Sequence, residues 1–282
     1  MHVERPSDAD SFLERAGPFL LEREAEHNLL LGVAGQLRSD PRRYGEDPYF
    51  AVALDGERIG AVALRTPPHN LILSLVDDER AYEPLAADAQ ATFGRLPGVI
   101  GPSDAVASFV RVWEERTGAT GRVAMRERTY RAVEAHPPEG VPGELRLYDQ
   151  RDREVVLAWM MAFVDEAMPD APPEDPDGWL ERREADPNGG IVIWDDGEPV
   201  SFGGFGGLTP NGIRIGPIYT PPELRRRGYA SALTAALTQM LLDRGRRFCF
   251  LFTDLANPTS NSIYQRVGYR PVADFDQWSF DE

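Results

Sequence analysis

The sequence predicts an α/β fold (an α+β arrangement of mixed sheets), with two domains in tandem that each have a central mixed β-sheet flanked by helices. Amphipathic helices alternate with short apolar strands along the whole chain. The order helix, strand, Asp-Gly turn, strand, strand occurs twice, around Asp55-Gly56 and around Asp196-Gly197. A stretch rich in proline and glycine at 135–143 separates the two occurrences. We therefore predict one domain at 1–135 and another at 143–282.

The composition narrows the classes of function. The 282 residues carry 46 acidic and 30 basic side chains, a formal charge of -16, which disfavours a nucleic-acid partner because phosphate binding needs a basic surface. No apolar run approaches the ~20 residues of a membrane span, so no membrane partner is expected. The first residues are charged and do not resemble a secretion signal, which predicts a cytoplasmic protein.

The first half begins with helical segments over 12–37, which we expect to be interrupted at Gly17-Pro18. Strands follow at 49–54, 59–64 and 71–76, the first two joined by the Asp-Gly turn. After a short strand near Val99 comes a helix over 104–117.

The second half begins with a strand at 143–147 and a helix over 151–168. An acidic, proline-rich stretch reaches 177, and helix 178–185 precedes a second hairpin at 191–205. The glycines at 203–207 raise the alternative of a dinucleotide-binding loop, but no helix follows them, so a bent strand is the better interpretation.

The stretch 213–269 carries the clearest chemical signal. An apolar strand ends at Tyr219, and Thr220-Pro221-Pro222-Glu223 breaks it. Three arginines and Gly228 then precede a long amphipathic helix. The first amides of a helix have no intrahelical partner and the helix dipole favours anions, so the amides of 225–230 are suited to a pyrophosphate.

Two motifs in this stretch resemble the GNAT superfamily of N-acetyltransferases. Arg225-Arg226-Arg227-Gly228-Tyr229-Ala230 is similar to the family signature Arg/Gln-x-x-Gly-x-Gly/Ala. The segment 257–269, with its asparagine, serine, tyrosine and final Gly-Tyr, resembles the second family motif. They stand in the family's order, separated by one helix and one strand.

The resemblance implies a reaction in which an amine attacks the thioester of acetyl-CoA, which serves as co-substrate. The backbone around Tyr219 would pair with the pantetheine, the arginine-glycine loop would bind the pyrophosphate, and Tyr264 would serve as the catalytic acid. The coenzyme-binding residues that it implies are Ile218, Tyr219, Thr220, Arg225, Arg226, Arg227, Gly228, Tyr229, Ala230, Ser231 and Asn257.

The general base is left open by the sequence. The strand before the loop offers no glutamate, which family members often use there, so Glu166, Asp254 or a water chain remain alternatives. Ser260 has no histidine near it in sequence and is predicted to cap the helix of Tyr264. The four histidines and single cysteine show no metal-ligand spacing, so no metal is expected.

The first half has the outline of the same unit without its coenzyme chemistry. Where the loop should stand, 77–84 contains no glycine, and Asp77, Asp78, Glu79 and Glu83 would repel a pyrophosphate. We therefore interpret 1–135 as a degenerate GNAT-like domain.

Two functions from different classes remain. One is an acyltransferase that acetylates a small amine or a peptide N-terminus. The other is a non-catalytic module that binds acyl-CoA. A homodimer is left open.

Overall fold

The computed structural model describes residues 1–76, 78–167 and 175–281. The chain forms two compact units, each built from separate stretches of sequence. The first unit contains Met1–Thr129, Thr253–Ala256 and the chain from Val272 onward, and the second contains Tyr130–Phe252 and Asn257–Pro271. The stretch 135–143 therefore lies within the second unit, and the last part of the chain returns to the first.

The first part of the chain alternates strands and helices. Its elements are β1 (His2–Glu4), α1 (Ala9–Glu22), α2 (Asn28–Ser39), β2 (Tyr49–Asp55), β3 (Arg58–Arg65), β4 (Leu71–Leu73), a 3₁₀ turn (Glu79–Ala81), α3 (Tyr82–Phe93), β5 (Gly98–Pro102), α4 (Ser103–Thr117) and β6 (Gly121–Ala132).

The second part repeats this alternation. Its elements are β7 (Glu144–Leu147), a 3₁₀ turn (Gln150–Asp152), α5 (Arg153–Ala167), α6 (Pro176–Glu184), β8 (Gly190–Asp195), β9 (Pro199–Gly206), β10 (Gly212–Tyr219), a 3₁₀ turn (Pro222–Leu224), α7 (Tyr229–Asp243), β11 (Phe248–Asp254), α8 (Pro258–Val267) and β12 (Arg270–Phe280). The prediction of a mixed α/β fold with sheets flanked by helices is confirmed.

In the first unit the strand order is β1-β2-β3-β4-β5-β12. Only β4 and β5 pair in parallel, and β12 pairs antiparallel to β5, with Phe275 opposite Pro102 and Ser279 opposite Gly98. The ring of Phe280 packs 5.8 Å from the ring of Trp113 on α4. A strand from the end of the chain thus completes the sheet of the first unit.

Both faces of this sheet are buried. On β2, Phe50, Val52 and Leu54 pack against α1 and α2, and the alternate residues Tyr49, Ala51 and Ala53 pack against α3 and α4. This alternation is the period-two side-chain pattern of a strand that is buried on both faces.

In the second unit the strand order is β11-β10-β9-β8-β7, with β10 and β11 parallel and the other neighbours antiparallel. Helices cover both faces here too. Val192 and Ile213 pack with Leu233 of α7, whereas Ile193 and Phe202 pack on the face that carries α5 and α6.

The predicted helix break at Gly17-Pro18 is wrong. Helix α1 continues through Pro18 to Glu22, and the chain turns only before Asn28. Phe12, Ala16 and Leu20 are fully buried on one side of α1, so packing of this stripe outweighs the helix-breaking tendency of proline.

An ion pair joins the first strand of the second unit to the start of α5. Arg146 donates from Nη1 and Nη2 to both carboxylate oxygens of Asp152, at 2.6 and 2.8 Å, and from Nε to Asp195 at 2.7 Å. Burial alone would raise the pKa of Asp152, but hydrogen bonds from Arg146 and from the Asp149 amide hold it below 3.8.

Replacing Arg146 with methionine should destabilise the protein by about 2–3 kcal/mol at pH 7, because the almost fully buried Asp152 loses its counter-ion. The expected cost lies below that of a fully buried pair because 21% of the Arg146 side chain is exposed. Since the pair lowers the carboxyl pKa in the folded state, its stabilisation is present above pH ~4 and is lost as the pH falls below it. Urea unfolding of the wild type and of the Arg146→Met variant at pH 7 and pH 3.5 measures their difference in unfolding free energy. A difference that is no smaller at pH 3.5 than at pH 7 contradicts the assignment.

Candidate active site

The strands β10 and β11 separate at one end of the second unit. Their parallel pairing joins Gly212 to Phe248, Ile213 to Cys249 and Arg214 to Phe250. Over the part of the chain that the structure describes, no further pair joins these strands, although β10 continues to Tyr219. The edge of β10 beyond Arg214 is therefore open to an extended ligand.

A β-bulge redirects β10 within this opening. On β9, Phe205 and Gly203 are two residues apart, whereas their partners on β10, Ile215 and Ile218, are three apart. One extra residue in β10 increases the local bend of the strand. Arg183 of α6 donates to the carbonyl oxygens of Phe205 at 2.7 Å and of Gly216 at 3.3 Å, which satisfies backbone groups at the bulge.

The turn after β10 is anchored by side chains. Ser201 is fully buried on β9; its hydroxyl donates to the carbonyl oxygen of Tyr219 at 2.7 Å and lies 2.9 Å from the hydroxyl of Thr220. Arg225 donates from Nε to the carbonyl oxygen of Thr220 at 2.8 Å and from Nη2 to Glu166 at 2.6 Å.

Six consecutive amides at the start of α7 have no protein acceptor. The first intrahelical bond runs from the amide of Ala232 to the carbonyl oxygen of Gly228, and Gly228 has no side chain to cap the helix. Among the described residues, the N–H groups of 226–231 donate to no backbone or side-chain oxygen. This segment is thus a row of unsatisfied donors at the positive end of a helix dipole.

The backbone of this loop has the conformation of an anion-binding concavity. Arg226 has φ 65° and Gly228 has φ 90°, with Arg227 between them at negative φ. Such alternation points successive amides towards a common centre. The side chains of Arg226 and Arg227 are exposed, and neither forms a salt bridge with a described carboxylate. Two arginines that form no ion pair with a described carboxylate thus stand in this loop, and one of them, Arg227, hydrogen-bonds the hydroxyl of Tyr229.

Glycine is required at position 228. A Cβ atom there would lie 2.7 Å from Cγ2 of Val141, and its positive φ is strained for other residues. The next residue, Tyr229, is buried, and its hydroxyl donates to Asp196 at 2.7 Å, which attaches the start of α7 to the turn between β8 and β9.

Asn257 caps α8, which packs against α7. Its side-chain oxygen accepts the amide N–H of Ser260 at 3.0 Å. The prediction that Ser260 caps this helix is therefore wrong: asparagine at the N-cap position reaches the third helical amide, and Ser260 supplies that amide. The side-chain NH₂ of Asn257 remains available for a ligand.

Tyr264 lies on α8 with its ring half-buried against the edge of Tyr269, 6.1 Å between centroids. The hydroxyl of Tyr269 is used internally, 2.7 Å from that of Thr238, whereas the hydroxyl of Tyr264 forms no hydrogen bond with a described residue. Burial raises the pKa of Tyr264 to about 12. At neutral pH it is thus a protonated hydroxyl that can donate to a ligand.

Both side chains considered as bases are already engaged. Glu166 accepts from Arg225, and Asp254 accepts the amide N–H of Ala256 at 2.7 Å. Sequence reasoning missed Ser201 and Arg183, whose partners are distant in sequence. A serine inside an apolar strand was the only available signal for Ser201. The thiol of Cys249 is fully buried and its pKa is raised to about 12 by desolvation, so it is not a nucleophile.

In the first unit, the described residues that follow β4 are hydrogen-bonded to nearby side chains. Asp78 accepts the amide N–H of Arg80 at 3.0 Å and hydrogen-bonds its guanidinium, which lowers the pKa of Asp78 to about 2. Ser74 exchanges hydrogen bonds with Val62, and His27 accepts the amide N–H of Leu75 at 3.2 Å. Asp77, one of the predicted repelling carboxylates, lies outside the described residues.

Neither a metal site nor a membrane span is found in the ranges that the structure covers. No cluster of three or more histidine, cysteine, aspartate or glutamate side chains there could hold a metal ion. No helix in the same ranges is both long and apolar enough to cross a membrane.

Comparison with known structures agrees with this architecture. A Drosophila protein superimposes with a TM-score of 0.69 at 15% identity, over 99% of this chain and 98% of its own. A GCN5-related N-acetyltransferase from Sphaerobacter thermophilus superimposes with a TM-score of 0.57 at 18% identity, covering 88% of this chain and 85% of its own. A GCN5-related N-acetyltransferase from Kribbella flavida superimposes with a TM-score of 0.54 at 17% identity, covering 79% of this chain and 88% of its own. At these identities the similarity establishes the fold.

Sequence comparison identifies the chemistry of the second unit. No curated protein sequence matches the chain significantly. The activity is assigned by a family match within the second part of the chain, which makes the protein an acyltransferase. Residues 156–269 match the Acetyltransferase (GNAT) family, so the chain contains a GNAT acetyltransferase domain at these residues. The resemblance noted in the sequence is confirmed.

Proposed function

We propose that the second unit transfers an acetyl group from acetyl-CoA to an amine. The observation that carries this proposal is the row of six amides at 226–231 that have no protein acceptor. A pyrophosphate offers several anionic oxygens to such a row, and Arg226 and Arg227 add charged donors beside it. The GNAT family match over these residues supports the same ligand.

The opening between β10 and β11 fits the extended arm of the coenzyme. Backbone groups of Ile218 and Thr220 would pair with the two amides of pantetheine, as an added strand would. The bulge at Gly216 and the anchoring of Tyr219 by Ser201 hold this strand end in place before the ligand arrives. The side-chain NH₂ of Asn257 would donate to the same arm.

The raised pKa of Tyr264 favours one of two roles for its hydroxyl. A free CoA thiol has a pKa of roughly 8.5, below the value of about 12 for this phenol, so proton transfer from the phenol to the thiolate is uphill. Tyr264 therefore donates a hydrogen bond to the departing sulfur rather than a proton. The bond from carbonyl carbon to sulfur breaks as the bond to nitrogen forms, and the amine proton leaves to water because Glu166 and Asp254 are engaged.

Replacing Tyr264 with phenylalanine should lower kcat about 10- to 100-fold and leave KM for acetyl-CoA within about twofold. The hydroxyl acts on charge that develops during the reaction, so its loss should not weaken binding of the ground state. Thiol release with a panel of small amines and short peptides measures both constants. Tyr130→Phe is the matched control, because that hydroxyl hydrogen-bonds Asn261 of α8 and is committed to structure.

The panel also separates the enzyme from a non-catalytic module that binds acyl-CoA. Turnover of any amine or peptide N-terminus at a rate that depends on Tyr264 supports the transferase. Binding of acetyl-CoA without release of thiol over the whole panel supports the module.

The first unit is best explained as a copy of the same unit that has lost its coenzyme site. The carboxylate of Asp78 takes the position that an external anion would need, and the backbone amide of Leu75 already has a partner in His27. CoA should accordingly bind with a stoichiometry of one per chain, which calorimetric titration measures.

A further inference from the structure

The three arginines of the coenzyme loop differ in their contacts. Arg226 and Arg227 are exposed and form no ion pair with a described residue. Arg225 is held on three sides: its Nε donates to the carbonyl oxygen of Thr220, its Nη2 donates to Glu166, and its guanidinium lies 5.6 Å from the ring centre of Tyr219. The first arginine of the motif is thus committed to the protein.

The contacts of Arg225 extend into the buried part of the second unit. The carbonyl oxygen of Thr220 accepts from Arg225, and its hydroxyl lies within hydrogen-bond distance of Ser201. Ser201 also holds the carbonyl oxygen of Tyr219. Glu166 stands in the last turn of α5, so a continuous chain of hydrogen bonds links this helix, the loop, the end of β10 and β9.

We propose that Arg225 is a positioning residue that fixes the coenzyme loop to α5, and that Glu166 is its anchor. This inference rests on the proposed function, since the loop is the one assigned to acetyl-CoA. It separates Arg225, which acts through Thr220 on the strand that receives pantetheine, from Arg226 and Arg227, which touch the phosphates. It also gives Glu166 a structural role in place of proton transfer.

The contacts explain why Arg225 is better suited to this role than to binding phosphate. Two of the five N–H donors of Arg225 are already used within the protein, in a charge-assisted bond of 2.6 Å to Glu166 and a bond of 2.8 Å to a backbone carbonyl, and these bonds restrict where the guanidinium can move. Arg226 and Arg227 form no ion pair with a described carboxylate, so they lose no such bond when they bind an anion, although Arg227 also hydrogen-bonds the hydroxyl of Tyr229. The pair is partly exposed, 38% for Arg225 and 53% for Glu166, so a modest effect is expected.

A double-mutant cycle tests the inference, with CoA as the probe and calorimetry as the measurement. Glu166→Gln and Arg225→Gln should each weaken CoA binding about two- to fivefold, and the double variant should be no weaker than the worse single variant. If Arg225 instead bound phosphate, Glu166→Gln would free it, and binding would be unchanged or tighter. That result overturns the proposal.

Salt dependence provides a second, independent readout. Arg226→Gln, the matched control, should weaken binding and reduce its dependence on salt, because a charge that contacts phosphate is removed. Arg225→Gln should also weaken CoA binding, but the dependence of its affinity on salt should equal that of the wild type. A reduced salt dependence in Arg225→Gln overturns the positioning role.

Failure of the proposed function has a different signature. If the wild-type protein does not bind CoA, the assignment of the coenzyme fails, and the role of Arg225 is then read from hydrogen exchange in the absence of ligand. Glu166→Gln should accelerate exchange of the amides of Leu224 and Arg225 about two- to fivefold. Unchanged exchange at these amides overturns the positioning role.

Discussion

Replacing Ala230 with aspartate is expected to weaken acetyl-CoA binding by at least about 1000-fold, or about 4 kcal/mol, without loss of stability. Ala230 is the second residue of α7, among the amides that have no acceptor. A carboxylate there would be favoured by the helix dipole, worth about 0.3–1 kcal/mol, but would repel a pyrophosphate at the same amides. The first unit already has a carboxylate bound to a backbone amide in this way, because Asp78 accepts the amide N–H of Arg80.

The matched control for this variant is Ala230→Asn, which has nearly the same shape without the charge. We expect the Ala230→Asn variant to bind acetyl-CoA at most about tenfold more weakly than the wild type, as measured by calorimetric titration. Thermal unfolding of both variants checks that their stability is unchanged. Gly228 is a poorer target, because any side chain there would clash with Val141. A loss of binding in such a variant could then result from misfolding rather than from loss of the binding site. Equal affinities of the Asp and Asn variants would contradict the assignment of these amides to the pyrophosphate.

Ending the chain at Pro271 is expected to unfold the first unit, although its sheet begins more than 250 residues earlier in the sequence. The truncation removes the strand that pairs with β5, together with Phe275, 1% exposed, and Phe280, 9% exposed. Burial of two phenylalanines alone contributes about 3–6 kcal/mol, a large share of a domain stability of about 5–15 kcal/mol. Hydrogen exchange of the β5 amides measures the effect.

A point variant provides the milder form of the same test. Phe275→Ala should destabilise the protein by about 3–5 kcal/mol and increase exchange at 98–102 before it affects α7. Phe275→Leu, which keeps most of the buried volume, serves as the control and should cost less than half as much. Wild-type protection of 98–102 in the truncated chain would show that β12 does not support this sheet.

Most of the elements near the candidate site could be predicted because their signals are local. The strand that ends at Tyr219 is apolar and stops at prolines, and α7 carries a regular apolar stripe. Gly228 and Gly268, which end the loop and α8, both have positive φ, as their identity suggested. The roles assigned there to Tyr264, Asn257 and the loop residues stay predictions until ligand binding is measured.

The two longest strands, β6 and β12, were not predicted, because both are rich in charged residues. In the folded chain some of these charges are paired across distant sequence positions. Arg128 of β6 donates two hydrogen bonds to Asp274 of β12, at 2.5 and 2.9 Å. A pattern search along one segment cannot detect partners that are 146 residues apart.

The sequence by itself determined the mixed α/β class and showed that three arginines and a glycine stand before α7, whereas residues 77–84 of the first half contain no glycine and several carboxylates. Each of these depends on local backbone chemistry: where proline and glycine stand, and which amides a helix leaves without partners. Only the tertiary structure decided that β12 completes the first unit and that Arg225 is paired with Glu166, whereas Arg226 and Arg227 form no ion pair with a described carboxylate. Those outcomes depend on contacts between distant segments, whose energies no local sequence pattern records.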